Sequence, residues 1–122
     1  MSLTAIHNNL ATSVLLFMLI AGVYGLVSYF RGQSMSGNYW GILAVGELLI
    51  LGEAVLGAVL WFSGARPGRL GIHVLYGVVA VISLPAYYAI TKGRDDRQVV
   101  LVYSLLNFFL AAISLRAAAT GV

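Results

Sequence analysis

Four stretches of this chain are almost free of charge, and no other feature restricts its fold so strongly. No Asp, Glu, Lys or Arg occurs from Met1 to Phe30, and residues 32–65 carry only Glu47 and Glu53. Residues 70–91 and 98–115 carry none. About 20 apolar helical residues cross a hydrocarbon core of about 30 Å, so four spans are expected, at roughly 6–30, 39–63, 70–91 and 97–119. No ten-residue segment alternates polar and apolar residues as a membrane barrel requires. In lipid the backbone must satisfy its own hydrogen bonds, which selects helices.

Composition agrees. Charged residues make up 9% of the 122, against about 25% in a soluble domain, and the mean hydropathy is +0.95. The absence of cysteine excludes disulfides, thiol catalysis, iron–sulfur ligation and Cys-based zinc sites. The net charge of +3 is spread along the chain, with no basic block to suggest nucleic acid as a partner.

The breaks between spans are polar and rich in turn formers: 31–38, 63–69 and the charged 92–97. Loops this short make consecutive helices antiparallel. Tyr29, Phe30, Tyr39, Trp40, Trp61 and Phe62 fall at span ends, where aromatic belts belong. The expected fold is all-α: one transmembrane domain over residues 1–122, an up-down-up-down four-helix bundle in the lipid bilayer. The first apolar run lacks a basic leader and is long enough to span, so it reads as helix 1 rather than a signal peptide. Arg31, Lys92, Arg94 and Arg97 lie on one side, and Arg66, Arg69 and Arg116 on the side of the termini. A margin of one cation places the termini outside.

The two halves show limited self-similarity. Ala5-Ile6-His7 aligns with Gly71-Ile72-His73, Phe30-Arg31-Gly32 with Thr91-Lys92-Gly93, and Glu47-Leu48-Leu49 with Ser104-Leu105-Leu106. The implied arrangement is two helical hairpins about a pseudo-two-fold axis along the membrane normal. It sets the chain's two histidines at one depth on diagonal helices, facing each other.

Imidazole is the commonest transition-metal ligand, and a facing pair suits haem iron. The expectation is therefore haem b, with His7 and His73 as metal ligands. Ala11 and Gly77, one turn further on, leave room for a macrocycle edge. Arg66 and Arg69 are placed to meet its carboxylates. Asn8, Asn9 and Tyr76 are candidate partners for the outer ring nitrogens. The plainer reading sets both histidines at the membrane boundary, bonded to headgroups or water.

Glu47 and Glu53 lie inside helix 2, where a carboxylate is costly and its partner must be sought. Six positions turn a helix by about 600°, so the two point about 120° apart and do not form one site. Depth matching sets Glu47 near Tyr24, Ser83 and Asn107, and Glu53 near Ser13, Ser114 and Tyr76. Each is expected to serve as a proton relay, a cation site or a ligand near a quinone or pigment, or else as polar glue between helices or a contact with a second protein.

No GxSxG, Walker, HExxH or GxGxxG motif occurs, so a self-sufficient hydrolase or transferase is not expected. Three functions remain. One is a b-type haem electron carrier or redox-complex anchor with quinone as partner. Another is an accessory subunit bound to other membrane subunits or to further copies of itself. The third is a small proton or cation transporter using Glu47 and Glu53.

Overall fold

The computed structural model describes residues 2–121. Four helices account for nearly all of them: α1 (Leu3–Phe30), α2 (Gly37–Phe62), α3 (Leu70–Thr91) and α4 (Arg97–Thr120). All four are long and apolar enough to cross a membrane, and the described residues contain no strand. The expected spans agree with these helices to within three residues at every end.

Local chemistry sets the boundaries. The side chains of Ser2, Ser36 and Asp96 accept from the N–H groups of Ala5, Tyr39 and Val99, each at 3.1 Å, capping α1, α2 and α4. Arg69 starts α3 without a side-chain cap, but its N–H donates to Thr120 C=O at 2.9 Å, fastening α3 to the end of α4. Lys92 ends α3 at φ 53, a left-handed conformation, and Gly93 follows at φ 72. On that side the Met35 N–H donates to Asp95 C=O at 2.8 Å, joining the two loops. Pro85 lies inside α3, and Ser83 Oγ donates to Val79 C=O at 2.5 Å rather than to the carbonyl near position 81 that the proline frees.

The helices pack in the order α1-α2-α3-α4 around the bundle, and neither diagonal pair brings its backbones close. The contacts are uneven. α1 lies most extensively against α4, and α2 meets α3 least. α4 is accordingly the most buried helix and α3 the least. Exposed Leu16, Ile20, Leu48, Val55, Leu75, Ile82 and Leu105 present an apolar exterior.

Since lipid is as apolar as Leu, helix association depends on close approach and on polar contacts. Gly25 supplies the approach. A Cβ there would collide with Ser104 Oγ and Tyr39 Oη. Tyr39, reaching in from α2, donates to Ala21 C=O at 3.2 Å, accepts from Asn107 Nδ2 at 2.9 Å and lies 3.3 Å from Ser104 Oγ. Ser104 Oγ donates to Val100 C=O at 2.7 Å. Tyr39, Ser104 and Asn107 are fully buried, so three helices meet in one polar knot. Near the loops Arg97 Nε donates to Tyr29 C=O at 2.8 Å, with its guanidinium 4.0 Å from the Tyr29 ring centre.

Candidate functional site

His7 lies on the second turn of α1 and His73 on the first of α3. The antiparallel order puts both at the bundle end opposite the Met35–Asp95 contact. Their helices are diagonal, yet their ring centres are 6.5 Å apart with the planes inclined at 61°. The rings therefore meet across the axis.

Each is held by the next helix of its own hairpin. His7 Nδ1 stands 3.0 Å from Glu53 Oε1, an ion-pair contact rather than a well-aligned hydrogen bond. His73 Nδ1 donates to Ala117 C=O at 2.8 Å and lies 3.2 Å from Thr120 Oγ1, which itself donates to the same carbonyl at 3.0 Å. A carbonyl oxygen can only accept, so His73 carries its proton on Nδ1. The Glu53 carboxylate oxygen 3.0 Å from His7 Nδ1 favours a proton on that nitrogen too. In the neutral imidazoles both lone pairs then belong to Nε2.

The hairpins repeat one more detail. A Cβ at Gly57 would lie 3.3 Å from His7 Cε1, and one at Gly121 would lie 2.9 Å from His73 Cε1. In each case the residue holding Nδ1, Glu53 or Ala117, lies one turn before the glycine. Each imidazole thus rests on a glycine and is anchored from the adjacent turn.

The other expected site residues are distributed as follows. Ala11 is half-buried at the α1–α4 contact, where its C=O accepts from Ser114 Oγ at 3.2 Å. Gly77 is exposed, with open space where a Cβ would be. Arg66 folds back on α2: its Nη1 donates to Trp61 C=O at 2.6 Å and Ala65 C=O at 3.0 Å, and its guanidinium covers the Trp61 ring at 3.8 Å. Arg69 is exposed beside the start of α3. The outer ring nitrogens go to Glu53 and to the end of α4, not to Asn8, Asn9 or Tyr76.

Glu47 and Glu53 point to different places, as the helical arithmetic requires. Glu53 turns to His7 on α1, whereas Glu47 borders a groove with Leu84 and Pro85 of α3. Asn107 is committed to Tyr39 rather than to Glu47. Sequence reasoning missed the Glu53–His7 contact and the roles of Thr120, Gly57 and Gly121. The usable signal was the four-residue spacing of Glu53 and Gly57, which puts them on one face.

Among the described residues no group of three or more His, Asp or Glu side chains is placed to hold a metal ion. Among the described residues the arrangement brings two imidazoles together with no third side chain grouped to hold a metal. Comparison with known proteins finds no matching family model and no matching solved structure.

Proposed function

We propose that this protein is a small b-type haem protein of the membrane, in which His7 and His73 would hold the haem iron, and that it carries electrons within the bilayer. The observation that carries the reading is the facing imidazole pair, with both Nδ1 atoms occupied and both Nε2 lone pairs left as donors. The ring centres lie 6.5 Å apart, which supports one group being held between the two imidazoles. Acceptors on the outer nitrogens orient ligating histidines and raise their basicity. A two-donor site suits haem, whose macrocycle supplies the remaining ligands, better than a bare ion that needs three or four from protein.

Bound haem would supply a one-electron couple. The rest falls to the chain. Glu53 and Ala117 hold the rings, and Gly57 and Gly121 keep their seats clear. With no cysteine in the chain, attachment is non-covalent, as in b-type proteins. Arg69 lies at the histidine end with its side chain exposed and is the nearer candidate for a haem carboxylate, since Arg66 would first have to leave Trp61. A carrier confined to the bilayer takes electrons from a lipid-soluble donor, and a quinol is the partner we assign. We assign the termini and the histidine end to the outer side, the reading that the one-cation difference between the two loop faces supports.

Absorption of the purified protein tests the reading. A Soret band, with sharpened bands on reduction, is expected in the native chain or after haemin addition. His7→Ala and His73→Ala should each abolish the six-coordinate spectrum. No Soret band under either condition overturns the proposal.

A further inference from the structure

A second site is suggested where the bundle is thinnest. α2 and α3 pack least closely of the neighbouring helices, and between them lies a groove of about 190 Å³. Its walls include Trp40, Leu43 and Glu47 of α2, Leu84 and Pro85 of α3, and Tyr103 of α4. Ala44, Pro85 and Tyr88 are exposed at its mouth. These residues lie within the spans, so the mouth faces lipid and admits what dissolves there.

The lining is apolar and aromatic with one strong exception. Glu47 Oε1 is buried and has no hydrogen-bond partner. Glu47 is ten residues into α2, about 15 Å from its start, so the carboxyl lies deep in the hydrocarbon zone, where an unmatched polar group is costly. Trp40 stands edge-on to Tyr88 and Tyr103, with ring centres 5.7 and 5.6 Å apart. The groove thus combines an aromatic wall, one unmatched carboxyl oxygen and a lateral opening.

We propose that this groove binds the single-ring head of a membrane-dissolved quinone or quinol, with Glu47 as its hydrogen-bonding partner. Size is the first argument. A dry cavity of about 150 Å³ takes benzene, so a groove of about 190 Å³ is of the size to seat one substituted six-membered ring. The chemistry of the carboxyl is the second. Protonated, it donates to a quinone carbonyl; ionised, it accepts from a quinol hydroxyl. One side chain therefore serves both forms of the couple. A lipophilic cation would require Glu47 to stay ionised, and a flat polar ring does not. Binding stands without the haem; its meaning as the electron source rests on the haem reading.

The test uses the full chain in lipid nanodiscs with Trp61→Phe, leaving Trp40 as the sole indole. It is titrated with a benzoquinone carrying one isoprenoid unit. Saturable quenching of Trp40 is expected. Glu47→Leu should raise the half-saturation concentration about five- to tenfold, as loss of a neutral hydrogen bond implies. Glu47→Gln, which keeps a donor and an acceptor, should stay within about threefold of the parent. Ala44→Phe, filling the groove from α2, should abolish saturation while elution volume and helical circular dichroism stay those of the parent. Linear, unsaturable quenching in the parent overturns the proposal. So does an unchanged midpoint in both Glu47→Leu and Ala44→Phe, or saturation by tetraphenylphosphonium with none by the quinone. Because the signal is indole fluorescence and not the Soret band, failure here leaves the histidine site untouched, and the converse holds.

Discussion

Glu53 reaches from α2 to set its Oε1 3.0 Å from Nδ1 of His7 on α1, with both side chains 18% exposed. An intramembrane carboxylate and an intramembrane imidazole thereby answer each other's cost. Under the haem proposal, removing the carboxylate should unfasten the ring without touching the nitrogen assigned to the iron. Glu53→Leu should weaken haemin affinity about 10- to 100-fold, the usual penalty for losing a ligand's outer partner. Haemin titration followed at the Soret maximum measures it, and undiminished affinity would show that Glu53 does not orient the ligand.

His73 has a different dependence. Its anchor is the backbone carbonyl of Ala117, which no substitution removes, so its weak point is the seat beneath it. Gly121→Ala introduces a Cβ 2.9 Å from Cε1 and must push the ring off Ala117. The expected cost is about 1 kcal/mol of stability, at the low end for overpacking because the residue lies at a helix end. A larger relative effect is expected on the Soret spectrum, which should shift toward a five-coordinate form. Thermal unfolding in detergent and the spectrum together separate the two consequences.

The polar knot makes the third prediction. Tyr39→Phe deletes the hydroxyl that bridges Ala21, Ser104 and Asn107. Single interhelical hydrogen bonds in membranes average about 0.6 kcal/mol and reach about 1.7, so a loss of about 1–2 kcal/mol is expected. Gly25→Ala should cost more, about 3 kcal/mol, because a Cβ there forces α1 away from both Tyr39 and Ser104. If Tyr39→Phe proved the more damaging of the two, polar bonding and not close approach would dominate the contact. Reversible unfolding in bicelles ranks them.

Orientation is open to direct measurement. With Arg31, Lys92, Arg94 and Arg97 inside, a reporter active only outside the cytoplasm should work when fused after Gly121 and fail when inserted in the 92–96 loop. Since the balance is a single cation, Arg97→Gln combined with Arg94→Gln should weaken or invert the preference.

Much of the architecture was legible because the bilayer imposes a length rule and charge marks the breaks. Helix ends at Phe30, Thr91 and Arg97 fall where expected. The facing of His7 and His73 also follows from helix order and depth alone. What the residues did not disclose was rotation and fine depth. Glu53 was expected beside Ser13, Ser114 and Tyr76, but the α1–α2 register sets Gly57 against His7, with Glu53 one turn away. Ser13 and His7 are six residues apart on α1, so a shift of about 9 Å exchanges one polar neighbour for the other. Helices that are apolar all round carry no stripe to correct it. Asn107 illustrates the same limit, since its partner Tyr39 sits at a span end and was read as an interface aromatic.

The dominance of the α1–α4 contact has a bearing on how the molecule is made. Helix α1 cannot cover its principal face until α4 has been synthesised, and at about 5–20 residues per second that interval lasts seconds. During it Gly22 and Gly25 lie bare to lipid or to a chaperone. Final closure must then bring Phe108 over Gly22 and Asn107 onto the Tyr39 hydroxyl together. Biogenesis of this protein is therefore vulnerable late, and truncation within α4 should send the nascent chain to proteolysis rather than yield a three-helix product.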